Sequence, residues 1–494
     1  MTLGACAAAL VCRRGVTQVR AAALRDAAVR DALIHVSHLC SREPWRRGPR
    51  EHGELNRMPC ELNKKHATLV VCDGDTNLLG SFVCEVPLPW PQETSDVLAA
   101  ARAAGLELAV LRLLQQHLDD ATGVLHCTYL ALSLQSSNTS LSALAPVPDN
   151  LLADDQLWID HPLRLRYARP SGLVSDLAWV DEQLAARGRR RSGCAQQQRT
   201  WNLSCVFRLQ LDDGSEAWLK SVPPFFAHEG SVIDCVQRLD GDASSALATS
   251  ALATVDGALR PQLRLPQLLA FDGAAGRLLM THCEGPLMWG ARPAAWRPII
   301  AAHVDRQLRL QSHVAELFAL GLPDWRATAL LVSLRALCAQ RAVQSALPSD
   351  VRGDLARLMA SLPERLDALQ ACGLPDTLVH GDLHQGNVIA SAAGPVLLDW
   401  GDAGVGMPLF DLPGLCHGFP ADDQPQVRAM VADAWRRACP GARVDAAMRL
   451  IAPLAELRQA LIYQHFLDNI EPAEHHYHAA DVPARLTAAV HAAA

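Results

Sequence analysis

One stretch of this chain constrains it more than any other: two short apolar runs, each ending in a polar loop, within 25 residues of one another. Residues 377–389 read Thr-Leu-Val-His-Gly-Asp-Leu-His-Gln-Gly-Asn-Val-Ile, and residues 395–401 read Pro-Val-Leu-Leu-Asp-Trp-Gly. Apolar runs this short, bounded by Gly and polar residues, predict small strands with a loop between them. Such strands place Asp382, Asn387 and Asp399 at one edge of one small sheet. Carboxylate and amide oxygens are hard donors and suit Mg²⁺, which takes one or two protein oxygens and fills its shell with phosphate oxygens and water.

The order of these groups matters more than their presence. Phosphoryl transfer asks little covalent chemistry of a protein, but it needs metal at the phosphates and a carboxylate to orient the attacking hydroxyl. An Asp, an Asn five residues later and a second Asp twelve beyond supply those parts. A polar turn between two strands accounts for one carboxylate but not for the ordered set. The segment resembles the H-G-D-x-x-x-x-N motif and following acid shared by aminoglycoside phosphotransferases, choline kinases and protein kinase-like folds.

That resemblance implies an α+β, bilobal protein kinase-like fold with a small β-rich N-lobe and a large helical C-lobe. It implies Asp382 as catalytic base, Asn387 and Asp399 as metal ligands, and His380 as a brace of the loop. Asp402 and Asp411, in Gly-x-Pro-x-x-Asp-Leu surroundings, are implied to be structural. ATP and Mg²⁺ are the implied cofactors, and a small molecule bearing a hydroxyl is the implied acceptor.

Such a fold also needs a cation at the phosphates. The hairpin of residues 199–220 ends in Lys220 on an otherwise apolar strand, and 223–229 leads into a helix, making Glu229 its expected partner. The separation of nine residues is short for this fold. No G-x-G-x-x-G loop occurs, so Asn202 to Ser204 is the expected cover for the phosphates, with Ser204 as a nucleotide contact. Residues 278–285 read as the strand joining the lobes. Helices are expected over 298–320, 326–343 and from Ser349 to Gly373.

The resemblance runs from about residue 171 to the end, dividing into an N-lobe over 171–285 and a C-lobe over 286–494. At about 150 residues per domain, 494 residues leave room for another unit. Residues 58–165 form it: strands at 66–72, 79–86 and 124–134 and a helix over 96–119 give a small α+β unit. Its element order is similar to a degenerate Nudix-like fold, but no Arg-Glu-x-x-Glu-Glu run is present, which argues against pyrophosphate hydrolysis. Residues 1–57, rich in Ala and Arg, are expected to be a disordered extension.

Composition narrows the partners. The net charge of -7 gives no field for nucleic acid or anionic membrane. No apolar run approaches the roughly 20 residues of a membrane span. The 15 cysteines show no C-x-x-C pair and read as reduced, small apolar residues, which fits a cytoplasmic protein. His475, His476 and His478 read as a solvated loop rather than a metal site. Asp305, Glu316, Asp324, Asp468, Glu471 and Glu474 are candidate contacts for a polyamine or ordinary surface acids. The sequence leaves the acceptor and the oligomeric state open. The competing reading is a nucleotide-binding regulatory protein without turnover. Protein kinase activity is disfavoured by the absence of an A-P-E segment after Asp399.

Overall fold

A computed structural model describes residues 64–88, 90–135, 142–148, 159–247, 254–255, 258–259 and 263–493. The expected disordered extension over 1–57 lies outside the described residues.

The first sheet contains β1 (Lys64–Cys72), β2 (Leu78–Val86), β3 (Leu108–Asp119) and β4 (Val124–Ser133), in the order β2-β1-β4-β3. α1 (Ser95–Ala103) covers one face through Val97, Leu98 and Ala101. The helix expected over 96–119 is therefore two elements. Gly105, at φ +83°, stops the helix as a left-handed C-terminal residue. Leu108 to Leu113 then run as a strand buried on both sides, with Val110 and Leu113 against α1 and Ala109 and Leu111 in the core behind. A strand covered on both faces reads as an unbroken apolar run, which periodicity cannot distinguish from a helix.

α2 (Pro170–Ala185) links this sheet to a second one. That sheet contains β5 (Gln196–Thr200), β6 (Cys205–Gln210), β7 (Glu216–Ser221), β8 (Leu268–Asp272) and β9 (Arg277–Thr281), in the order β8-β9-β7-β6-β5. α3 (Glu229–Leu247) packs beside it. Strict alternation in β6 and β7 sends Cys205, Phe207, Leu209, Ala217 and Leu219 to one face. There they share a core with Val70, Cys72, Leu130 and Leu132 of the first sheet and Leu173, Val180 and Leu184 of α2. The opposite face carries Val206, Lys220 and Leu278. Asp176 of α2 is fully buried and accepts from Arg166 and from the Ser221 hydroxyl (2.7 Å), pinning the helix to β7.

The rest is mainly helical: α4 (Pro293–Leu310), α5 (Ala327–Ala339), α6 (Ser349–Ala360), α7 (Leu362–Gln370), α8 (Gln424–Ala438), α9 (Val444–Asn469) and α10 (Asp481–Ala493), with shorter turns between them. The three long helices expected here are broken. One ends at Leu310, with a further turn over Val314–Ala319. The second breaks at Gln340, whose ψ of 126° is extended. The third breaks at Ser361, before Pro363 in the first turn of α7. Inserted among the helices are β10 (Thr377–Val379), β11 (Val388–Ile389), β12 (Val396–Leu397) and β13 (Gly404–Gly406), with β11 paired to β12 and β10 to β13. After β9 the chain crosses directly to this half, where Met288 N donates to Val388 O at 2.9 Å. No helix among the described residues is long and apolar enough to cross a membrane.

Candidate active site

The short strands β10 to β13 hold a polar loop over a dry floor. Asp411, 5 % exposed, accepts from the backbone N–H of His380 (3.1 Å) and Gly381 (2.8 Å), from Gln307 (3.0 Å), and shares a 2.9 Å contact with His303 Nε2. Burial works against its charge, but the His303 bond and these donors hold its carboxyl below the usual range. It fixes the loop's first turn. Gly381 is required there: at φ +88° its Cβ would lie 1.9 Å from the Asp402 carbonyl oxygen.

His380 is fully buried, with Nε2 2.9 Å from the Leu398 carbonyl and its ring edge-on to Trp400. Burial pushes its pKa down, so it braces the loop as a neutral imidazole. His384, whose role the sequence did not single out, is also fully buried. Its Nδ1 accepts from Gly386 N at 2.9 Å, which leaves the proton on Nε2, 3.3 Å from Asp382 Oδ2. Asn387 donates from Nδ2 to both the carbonyl (2.8 Å) and Oδ2 (3.0 Å) of Asp382. One oxygen of Asp382 is thus gripped, while the side chain stays 27 % exposed towards the cleft.

Asn387 Oδ1 is buried with no hydrogen-bond partner. A buried amide oxygen left unsatisfied costs free energy unless something else occupies it. Asp399, 34 % exposed, stands at φ +60°, a left-handed conformation that a non-glycine residue adopts only under local constraint. An orphaned hard oxygen beside a strained carboxylate fits a divalent cation.

Across the cleft, Lys220 Nζ lies 2.7 Å from Asp399 Oδ1 and 2.8 Å from Glu229. Burial alone would lower the lysine, yet the two carboxylates raise it above the usual range. Asp399 is lowered despite burial, mainly by Lys220, whereas burial raises Glu229. Glu229 also accepts from Trp400 N at 3.2 Å, tying α3 to the residue beside Asp399. The short sequence separation of Lys220 and Glu229 does not keep them apart, because β7 passes almost directly into α3.

Ser204 is placed differently. It lies in the β5–β6 turn, where its hydroxyl meets the Trp201 indole N–H at 3.3 Å. No hydrogen bond among the described residues joins it to the Lys220–Asp399 group.

Two further groups border the site. Asp402 is raised well above the usual carboxylate range by burial and then by the charges of Asp382 and Asp399. Arg458 of α9 is 1 % exposed, lies over the rings of Trp325 and Phe410, and donates to the Gly381 carbonyl at 3.2 Å. Its sequence signal was an arginine between Leu454, Leu457 and Leu461 on an apolar helix face.

The acids considered for a polyamine are mostly taken. Glu316 pairs with Arg238, Asp324 with Arg326 (2.7 Å), and Glu471 with Arg164 (2.9 Å). Glu471 and Glu474 are buried, not surface, residues. The segment expected to be a solvated histidine loop is a short helical turn, Pro472–Tyr477, with His478 buried and 3.2 Å from Asn202 Oδ1.

Residues 236–451 match the model of the Phosphotransferase enzyme family. That segment is similar to this family of phosphotransferases. It begins inside α3 and ends in α9, so it contains the 380–411 loop system and leaves Lys220 and Glu229 just upstream. Among solved structures, the chain is similar to a macrolide 2'-phosphotransferase from Brachybacterium faecium (16% identity, 63% of this chain and 98% of that one, TM-score 0.42). It is also similar to a choline/ethanolamine kinase family protein from Mesorhizobium loti (18% identity, 64% and 98%, TM-score 0.38). An ethanolamine kinase from Plasmodium vivax matches at 11% identity over 59% of this chain and 82% of that one, with a TM-score of 0.36. No curated protein matches the chain.

Proposed function

We propose that this protein transfers the terminal phosphoryl group of ATP to a hydroxyl of a small molecule. The observation that carries this reading is the convergence of Lys220, Glu229 and Asp399 within 2.8 Å contacts, opposite an Asp382 gripped by Asn387. A lysine shared by two carboxylates, facing a carboxylate–amide pair, is a charge arrangement suited to a polyanion and a cation together.

In this reading Lys220 leaves Asp399 to bind phosphate oxygens, and Glu229 keeps its ammonium aimed into the cleft. Asn387 Oδ1 and Asp399 would hold Mg²⁺. Its chemistry there would be compensation of the phosphate charge. Asp382 accepts the proton of the acceptor hydroxyl, with Asn387 fixing the oxygen it touches so that the other can turn to the acceptor. Asp411 and His380 hold the loop in place and take no part in proton transfer. Hygromycin B and kanamycin in similar structures indicate polyhydroxylated amines as the first compounds to test.

The test is an ADP-release screen with MgATP over amino-sugars, amino-alcohols and antibiotics, followed by Asp382→Ala. A cognate acceptor should stimulate ADP release, and the variant should abolish the stimulation while still binding nucleotide. Undiminished turnover in that variant would remove Asp382 as the base. Tight nucleotide binding with no turnover against any acceptor would favour a regulatory, non-catalytic protein.

A further inference from the structure

The cleft face of the second sheet carries a charge pattern that the phosphotransferase reading does not use. Successive strands place Arg199 opposite Val206, Val206 opposite Lys220, and Lys220 opposite Leu278. Directly paired residues share a face, so Arg199 looks into the same cleft as Lys220. With two strand spacings between them, their backbones are about 10 Å apart. Regular alternation would not put it there. Gln197, paired with Phe207, faces the core, and a register shift between Gln197 and Arg199 inserts one extra residue and turns Arg199 over.

The row continues outside the sheet. Glu93, from the segment joining β2 to α1, pairs antiparallel with Arg199. Thr94 N donates to Gln198 O at 3.2 Å and Thr200 N to Gln92 O at 3.1 Å, so this segment runs as an extra strand along β5. The Glu93 carboxylate, 4 % exposed, meets the Arg199 guanidinium, itself 12 % exposed. Glu93 is held in turn: the fully buried Lys65 ammonium donates to the carbonyls of Trp90 (2.7 Å) and Glu93. On the other face of β5, the Gln197 amide closes two 2.8 Å hydrogen bonds with the backbone N–H and C=O of Val110 in β3. The N-terminal unit therefore grips the outer strand of the nucleotide hairpin from its edge and from behind, and it contributes a carboxylate to the cleft face.

We propose that Arg199 is a second phosphate-binding cation and that Glu93, supplied by the N-terminal unit, is its positioning residue. This rests on the nucleotide reading of the same cleft. A guanidinium presents a planar fork suited to phosphate oxygens, and a carboxylate on one side of it fixes the direction of that fork. The N-terminal unit thereby tunes nucleotide affinity.

The experiment measures binding of MgATP and of adenosine to the full-length wild type, Arg199→Gln, Arg199→Lys, Glu93→Gln and the double Glu93→Gln/Arg199→Gln variant. The double variant replaces the ion pair by two amides that can bond to each other, which guards against misfolding from a lone buried charge. Arg199→Gln is expected to lose about tenfold in MgATP affinity, the scale of one charged hydrogen bond, and Glu93→Gln less. The double variant should be no weaker than Arg199→Gln, Arg199→Lys should recover part of the loss, and adenosine should bind all five proteins equally. If wild type binds MgATP and the variants match it, the inference falls while the kinase reading stands. Parallel loss of MgATP and adenosine affinity would make Arg199 a support of the hairpin only, which also overturns the proposal. If wild type binds neither ligand, both readings fail together.

Discussion

The two sides of the cleft are built in opposite ways. The floor comes from one continuous stretch, 380–411, whose side chains are placed by tight turns and short strands. The roof is assembled from Glu93, Arg199 and Lys220, placed by strand register and one bulge across two units of the chain, and from Glu229 at the start of α3. Function that is set by a loop stays together in sequence, whereas function that is set by register is scattered. In the proposed reading the floor carries the chemistry and the roof the binding.

Substitutions can break that division of labour. Asp382→Asn, on the floor, should lower turnover about 10³-fold in an ADP-release assay with little change in nucleotide affinity, as expected for loss of a general base. Lys220→Met, on the roof, should reduce kcat/KM for MgATP about 10²-fold, the scale of one lost electrostatic contact to the transferring group. If the two variants showed the same kinetic signature, the contrast between floor and roof would be wrong.

Asp411→Ala should leave two backbone N–H groups and the His303 ring without their acceptor. The cost should be about 3 kcal/mol in urea unfolding. A loss of activity with no loss of stability would make Asp411 part of the chemistry instead of its foundation.

The smallest effect concerns pH. Burial, and then the neighbouring Glu471, raise the Glu474 carboxyl to about 8 from the usual 4.5. The folded state therefore binds this proton more tightly than the unfolded chain. The stability it confers is fully present below pH 4.5 and is lost as the pH rises through about 8. Glu474→Gln should raise the melting temperature by a few degrees at pH 8 and hardly at all at pH 5. An equal shift at both values would assign the effect to packing.

The sequence makes His380, Asp382, Asn387 and Asp399 legible as a group because they stand at fixed spacing within one loop system. It also makes Lys220 legible, since a lysine on an alternating apolar strand is visible against its neighbours. It did not recover Arg199 or Glu93, because neither spacing nor composition shows a bulge or an edge strand added from 100 residues upstream. The buried strand β3 was taken for helix for a related reason: what covers both its faces is absent from its own sequence. Arg458 and His384 were legible only as polar residues in apolar or loop surroundings, and their direction depends on tertiary packing.

The extra strand at 92–94 has one more consequence. An uncovered outer strand offers a row of free amides to any passing chain, and β5 is spared this because its edge is occupied and its rear face is bonded through Gln197 to Val110 of β3. Trimming the polypeptide to begin near residue 171 would uncover both at once. Such a fragment should self-associate through that border, so the fused unit also guards the protein's solubility.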